Sequence, residues 1–307
     1  MQMHKSPNVQ LSIINLPQLS QGQFGYNDFP LKYDPSQEVI RSINSKPLAD
    51  RLHPYGARYY LIKSQEPVKV SFSGSTLAHL TPAEPPTGDY VWYSNRGDES
   101  DFSLTRSFDL TGLDSATLDY RIWYQLDNLY DYAYVEASPD RGRTWEILTT
   151  ACGTDRNPRG QAIGFGYTGS TNEWLSESIN LNLYTGQEII IRFQLITDFT
   201  INRDGIQLDD IAIPELEYFD SAEDESGGWD AQGFIRSSNL VPVEWIVWLV
   251  KASNPMQVEH ISLSPAQMAE FEIEGFGKQF NFAAIVISPT APTTTMELDY
   301  ELVFQHP

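Results

Sequence analysis

Two acidic groupings are the residues best suited to chemistry: the loop Gly97-Asp98-Glu99-Ser100-Asp101, and Asp209-Asp210 within Gly205-Ile206-Gln207-Leu208-Asp209-Asp210-Ile211. Calcium takes six to eight oxygens at ~2.3–2.6 Å, so loop carboxylates and carbonyls joined by a carboxylate from a distant strand meet its demand. Adjacent strand residues point to opposite faces, so at most one of Asp209 and Asp210 is expected to face a given ion. Composition alone favours a plain exposed acidic loop. No D-x-D-x-D-G loop ending in Glu is present, which excludes an EF-hand.

Catalytic groupings are sparse. The five histidines, His4, His53, His79, His260 and His306, are scattered. No H-E-x-x-H, G-x-S-x-G, G-x-x-x-x-G-K-S or G-x-G-x-x-G occurs, so the chain reads as no enzyme. Cys152 is the single cysteine, which rules out an intrachain disulfide and a cysteine-based zinc site. Ser138-Pro139-Asp140-Arg141-Gly142-Arg143-Thr144-Trp145 fits the S-x-D-x-G-x-T-W pattern of the Asp-box hairpin. There Asp140 serves turn amides, Gly142 supplies positive φ and Trp145 buries its ring, which is a structural role. Trp92, Tyr93, Trp123, Tyr124, Tyr130 and Trp174 could stack on sugars, although in a β-sandwich such residues more often form core.

The elements that must position these residues are strands. The chain has 307 residues, 41 Asp and Glu against 20 Lys and Arg, and a formal charge of -21. That charge repels phosphate backbones and disfavours nucleic acid as a partner. No apolar run approaches the ~20 residues needed to span a bilayer, and Met1–Ser6 leads into polar Pro7-Asn8 instead of a signal peptide's apolar stretch. An exported protein would be represented here by its mature form or a fragment. Short runs rich in Val, Ile, Tyr, Phe and Thr between Gly, Pro, Asn and Asp clusters predict an all-β protein.

The expected organisation has three parts. Residues 1–50, with Val9-Gln10-Leu11-Ser12-Ile13-Ile14 and then Pro17, Pro30, Pro35 and Pro47, read as an extended N-terminal arm that could wrap its own sandwich or a neighbour. Residues 51–214 read as a jelly-roll-like β-sandwich, with Ala116–Tyr124 pairing beside Tyr132–Ala137. The acidic, Gly-rich stretch Glu215–Gly228 reads as a boundary. Residues 215–307 then follow as a smaller immunoglobulin- or fibronectin-like β-sandwich, with strands expected at 244–250, 258–263, 269–274, 282–288 and 296–304.

In order, Trp92-Tyr93-Ser94-Asn95-Arg96-Gly97-Asp98, Leu104–Leu110, Asp131–Glu136, the Asp-box, Gly166-Tyr167-Thr168-Gly169-Ser170, Trp174, Tyr184-Thr185-Gly186-Gln187, Ile191-Arg192-Phe193, Thr197-Asp198 and Leu208–Ile211 form a combined signature. It resembles the accessory β-sandwich, similar to MAM and jelly-roll modules, of immune inhibitor A-like (M6 family) secreted metallopeptidases. Trp229, Phe234-Ile235-Arg236, Asn239 and Pro242 more loosely resemble the small β domain that follows. The resemblance implies a secreted or cell-surface location and a structural Ca²⁺, with Asp98, Glu99, Asp101 and Asp209 or Asp210 as transferred positions. The family's H-E-x-x-H zinc domain has no counterpart in these residues. The leading expectation is therefore a non-catalytic, calcium-stabilised structural or interaction protein. Its expected partners are protein subunits or cell-surface components, with self-assembly through the arm. The alternatives are the accessory region of a secreted M6-type zinc metallopeptidase, and a carbohydrate-binding module with glycan partners.

Overall fold

A computed structural model describes residues 37–40, 43–224 and 227–307. The protein is all-β and its chain divides into two compact units. One holds the termini, residues 1–80 and 240–307; the other is Thr81–Asn239, inserted within it.

The inserted unit is a sandwich. One sheet runs β10 (Glu146–Ile147), β9 (Tyr132–Ser138), β12 (Glu188–Ile196), β7 (Asp101–Asp109), β15 (Asp230–Gln232). The other runs β11 (Leu175–Asn180), β8 (Thr117–Gln125), β13 (Gly205–Ile213), β6 (Val91–Tyr93), β16 (Ile235–Ser237), and β14 (Tyr218–Asp220) also pairs with β13. Period-two alternation turns Ile189, Ile191, Phe193 and Leu195 of β12 and Leu118, Tyr120, Ile122 and Tyr124 of β8 into one shared core. Burying such side chains contributes about 1.5–3 kcal/mol each.

β8 and β9 do not pair, contrary to the expectation for Ala116–Tyr124 and Tyr132–Ala137. They belong to opposite sheets and meet through the core, because β8 is held between β11 and β13 and β9 between β10 and β12. The Asp-box hairpin is built as its residue types dictate. Asp140 Oδ1 accepts the amides of Arg143 and Thr144 at 3.1 and 2.8 Å, and its Oδ2 accepts the Thr144 hydroxyl at 2.7 Å. Gly142 adopts φ 80°, and the Trp145 ring lies beneath the Arg192 guanidinium, 3.8 Å from its centroid.

The terminal unit also has two main sheets about one core. The first runs β1 (Gln37–Ile40), β3 (Arg58–Ile62), β21 (Ala283–Thr290), β18 (Glu244–Lys251), β19 (Gln257–Ile261). The second runs β2 (Leu48–Leu52), β22 (Leu298–Gln305), β4 (Val68–Gly74), β20 (Met268–Ile273), and a short ladder joins β5 (Leu77–His79) to β17 (Leu240–Pro242). Tyr60, Ile62, Trp245, Val247 and Ile285 from the first sheet meet Val70, Phe72, Tyr300 and Leu302 from the second.

The division differs from boundaries at 50 and 214. β3 and β4 pair with β21 and β22 over more than 200 residues of sequence, Tyr60 opposite Ile285 and Phe72 opposite Leu302. They therefore belong with the C-terminal strands. β1 and β2, expected in a free arm, are strands of the same unit, while residues 1–36 of that arm lie outside the described residues. Glu215–Gly228 is no boundary either: β14, β15 and β16 extend the inserted sandwich, and Trp229 and Phe234 pack in its core. The five strands expected after residue 240 are β18–β22.

The inserted unit's ends are clasped together. Asn239 is fully buried. Its Nδ2 donates to the carbonyls of Ala83 and Thr81 at 2.8 and 3.1 Å, and its Oδ1 accepts the Thr81 amide at 3.0 Å. Asn239→Ala leaves several buried backbone groups unpaired at about 1–3 kcal/mol each, so a loss of about 3 kcal/mol or more in urea denaturation is expected. The Asp140 carboxyl is held at about 2 by the Thr144 amide first and the Thr144 hydroxyl next. A carboxyl depressed in the folded state adds stability above its unfolded pKa that is lost as pH falls toward the folded value. A melting-temperature decline between about pH 4 and pH 2 that is shallower in Asp140→Ala is the expected result.

Candidate metal centre

The local conformation of β13 sets the site. Ile206 and Leu208 face the core by alternation, and so do Ile211 and Ile213, which requires one extra residue between the two pairs. A register shift against β8 occurs between Asp209 and Ala212, with Asp210 at φ 49°. This is a β-bulge. It brings both aspartates to one neighbourhood. The Thr87 hydroxyl donates to Asp210 Oδ2 at 2.9 Å, the Thr87 amide acts on the Asp209 carboxylate, and Arg121, cross-strand from Asp209, reaches Asp210 Oδ2 at 3.0 Å. The bulge removes the regular alternation on which the expectation that only one of the pair could face an ion was based.

Glu223 stands beside them. Its Oε1 accepts the amides of Asp89 and Tyr90 at 2.8 and 2.9 Å. Gly88 makes this approach possible: its φ is 64°, and a Cβ there would lie 2.2 Å from that oxygen. Arg236 lies over the Tyr90 ring, 3.4 Å from its centroid, and donates to the Glu223 carbonyl at 2.7 Å.

Asp209 has no exposed surface. Its Oδ1 accepts the Asp210 amide at 2.7 Å, while among the described residues its buried Oδ2 has no hydrogen-bond partner, nor has Oδ1 of Asp210. Burial pushes the Asp209 carboxyl up to about 7; the Asp210 and Glu223 charges add to this, and the Asp210 and Thr87 amides oppose it. Asp131 offers a contrast within the same unit. It too is buried and raised to about 6, yet both its oxygens are used, by the amides of Asp198 at 2.9 Å and Asp127 at 3.4 Å.

Two orphaned carboxylate oxygens beside a third carboxylate are what a hard divalent cation would satisfy. Among the described residues no three His, Cys, Asp or Glu side chains gather as a metal-ligand group. A calcium ion here would therefore rest on Asp209 and Asp210 and complete its shell with carbonyls and water. Asp98, Glu99 and Asp101 are placed elsewhere. Asp98 and Glu99 are exposed on a turn whose Glu99 amide donates to the Asp198 carbonyl at 2.6 Å, and Asp101 accepts from Gln194 at 2.7 Å. Thr87, Gly88 and Glu223 were missed by sequence reasoning; the Thr87-Gly88-Asp89 turn after a Pro-rich run was the available signal.

Four of the six aromatics considered for sugar stacking, Trp92, Tyr93, Trp123 and Tyr124, are buried. Trp92 Nε1 donates to Asp220 at 3.0 Å, and the partly buried Trp174 donates to the Glu84 carbonyl at 2.7 Å. They serve the fold.

The inserted unit is thus a two-sheet sandwich bearing an Asp-box hairpin and a bulged Asp-Asp strand. The family model described as "Immune inhibitor A-like, MAM domain" matches residues 54–239, and the chain belongs to that family. The matched family is an accessory domain, distinct from a peptidase catalytic domain. The pre-pro-metalloprotease PrtV of Vibrio cholerae serotype O1 (strain M66-2) is 27% identical over 178 residues, covering 56% of this chain and 18% of the relative. Immune inhibitor A of Bacillus thuringiensis subsp. alesti is 26% identical over 168 residues, 52% of this chain and 23% of the relative. Bacillopeptidase F of Bacillus subtilis (strain 168) is 30% identical over 101 residues, 33% of this chain and 6% of the relative. Each of these matches thus spans less than a quarter of the relative's length. Among the described residues no helix is long and apolar enough to cross a membrane.

Gly88→Ala combines a strained positive φ with a clash against Glu223 and is expected to cost about 1–3 kcal/mol. Thermal denaturation measures this, and a loss below about 0.5 kcal/mol would show that the turn is free to move aside.

Proposed function

We propose that this chain is a non-catalytic accessory part of an exported protein of the metallopeptidase type. In this reading its inserted sandwich is stapled by calcium, and its surfaces engage protein subunits or cell-surface components. The observation that carries the reading is the pair of buried, unpartnered oxygens on Asp209 and Asp210, in a sandwich matching an accessory-domain family. The relatives' names, a pre-pro-metalloprotease and an immune inhibitor A, support placement outside the cell.

Bound calcium would supply positive charge and oxygen coordination, and the chain's own residues do the rest. Asp209 and Asp210 present the acceptors. Arg121 and Thr87 fix the Asp210 carboxylate through Oδ2, leaving its Oδ1 for the cation. Glu223 pins the Asp89–Tyr90 turn against the strand.

Calorimetry of the purified chain with calcium and with chelator tests the reading. A cation binding only the folded state stabilises by about 2.7 kcal/mol at a hundredfold excess over its dissociation constant, so the transition should climb with calcium concentration. Asp209→Asn should abolish that climb and, by removing a buried charge, raise the stability of the calcium-free protein. Asp98→Ala, on its exposed turn, should leave the climb intact. A transition that ignores both calcium and chelator would overturn the staple. Loss of the climb in Asp98→Ala but not in Asp209→Asn would move the site to the Asp98 turn.

A further inference from the structure

On the inserted unit the short strand β15 leaves part of its neighbour uncovered. β7 runs from Asp101 to Asp109, but β15 pairs only with Ser103 to Thr105, placing Asp230 opposite Thr105. The chain reaches β15 through Gly228, which adopts φ 76°. A Cβ there would lie 2.3 Å from Nη1 of Arg106, so glycine is what lets the backbone pass against this guanidinium. Where β15 begins, a cavity of about 410 Å³ opens, lined by Thr105, Arg106, Ser107, Ile190, Gly228 and Asp230. That is room for a small ligand.

Arg106 is prepared for an anion. Leu104 and Phe108 of β7 point into the core, and alternation sets Arg106 on the same side between them. Its guanidinium lies over the Tyr218 ring, 4.3 Å from the centroid, and 5.3 Å from that of Phe108. Stacking occupies the flat face of a guanidinium and leaves its in-plane N–H donors free. Among the described residues no hydrogen bond or ion pair engages those donors, the hydroxyls of Thr105 and Ser107, or the carboxylate of Asp230. Arg96, Arg121 and Arg192 of the same unit, by contrast, each hold an aspartate or glutamate.

These free groups select a ligand class. A guanidinium fork takes a carboxylate or a phosphate through two parallel hydrogen bonds. A phosphate dianion would set a second negative charge near Asp230, and the chain's charge of -21 weighs against any polyanion. Sugar hydroxyls instead donate to the Asp230 carboxylate and exchange hydrogen bonds with Thr105 and Ser107, while Ile190 offers an apolar patch to the C–H groups of a ring. A peptide's terminal carboxylate would satisfy Arg106 and leave most of the other groups unused.

We propose that this cavity binds a sugar acid of the uronic or sialic type, with its carboxylate on Arg106 and its hydroxyls on Asp230, Thr105 and Ser107. The site shares no lining residue with the Asp209 and Asp210 pair. It gives a chemistry to the cell-surface component of the reading above, on which it rests only for location.

Saturation-transfer NMR on the full chain in calcium tests this, with the methyl glycosides of glucuronic acid and N-acetylneuraminic acid as probes and methyl glucoside as the neutral control. At least one acid should give a signal that titrates with a dissociation constant on the order of 1 mM, as suits an open cavity, and the glucoside should give none. Arg106→Gln should weaken that binding about tenfold or more. Ser107→Leu, at an exposed position where the larger side chain fills the cavity, should do the same and decides the matter if Arg106→Gln fails to fold. Silence from both acids, an equal signal from the glucoside, binding indifferent to both substitutions, or tighter binding of N-acetyl-alanyl-alanine than of either sugar acid would each overturn the proposal. Calorimetry with chelator reports on the calcium staple separately, so a protein that ignores calcium and still binds the sugar acid would remove the staple and keep this site.

Discussion

The clasp at Asn239 is the interaction on which this architecture depends. A sandwich can be inserted into another only if its two ends meet, because the host has a single gap to fill. Here one carboxamide holds three backbone groups of Thr81 and Ala83, and on the host side Leu240 pairs directly with His79. Each unit thus joins its own two chain ends at the crossing, by buried hydrogen bonds in the one and by strand register in the other. The alternation of β3 and β4 can then find its complement in β21 and β22, far along the sequence.

Desolvation governs the chemistry. A carboxylate with one oxygen bonded and one orphaned is costly in a sealed site, and the charges of Asp210 and Glu223 increase that cost. Asp131 shows the ordinary solution, in which backbone amides satisfy both oxygens. β13 keeps Asp209 incompletely satisfied and bulges to bring Asp210 beside it, and the calcium reading proposed above rests on that arrangement.

Much of this was legible in the sequence, and the limits have physical causes. The strand-rich pattern, the Asp-box geometry and the strands after residue 240 follow from local periodicity and turn chemistry, which act over a few residues. The nesting does not. Nothing local in Arg58–Ile62 says that its partner is Ala283–Thr290 and not a nearer strand, since any alternating strand of similar length offers the same face. The acidic pair was recognised, but its partners were sought in the Asp98 turn. A single φ of 49° at Asp210 redirects both side chains toward Thr87 and Glu223. Glu223 looked like linker because its neighbours are acidic and glycine-rich; its role rests on the room that Gly88 leaves, a property of backbone shape.

Nesting has a consequence for how the chain comes to be folded. Closing a flexible loop the length of residues 81–239 would cost about 4–5 kcal/mol in chain entropy. A sandwich that folds first and presents its ends side by side has already met that cost from its own packing. On the ribosome, β3 and β4 emerge early, and their C-terminal partners β20, β21 and β22 are made only after the inserted unit. In that interval they are exposed edges able to pair with the wrong chain. An inserted sandwich that folded before its host would shorten that interval by holding the ends of the gap together.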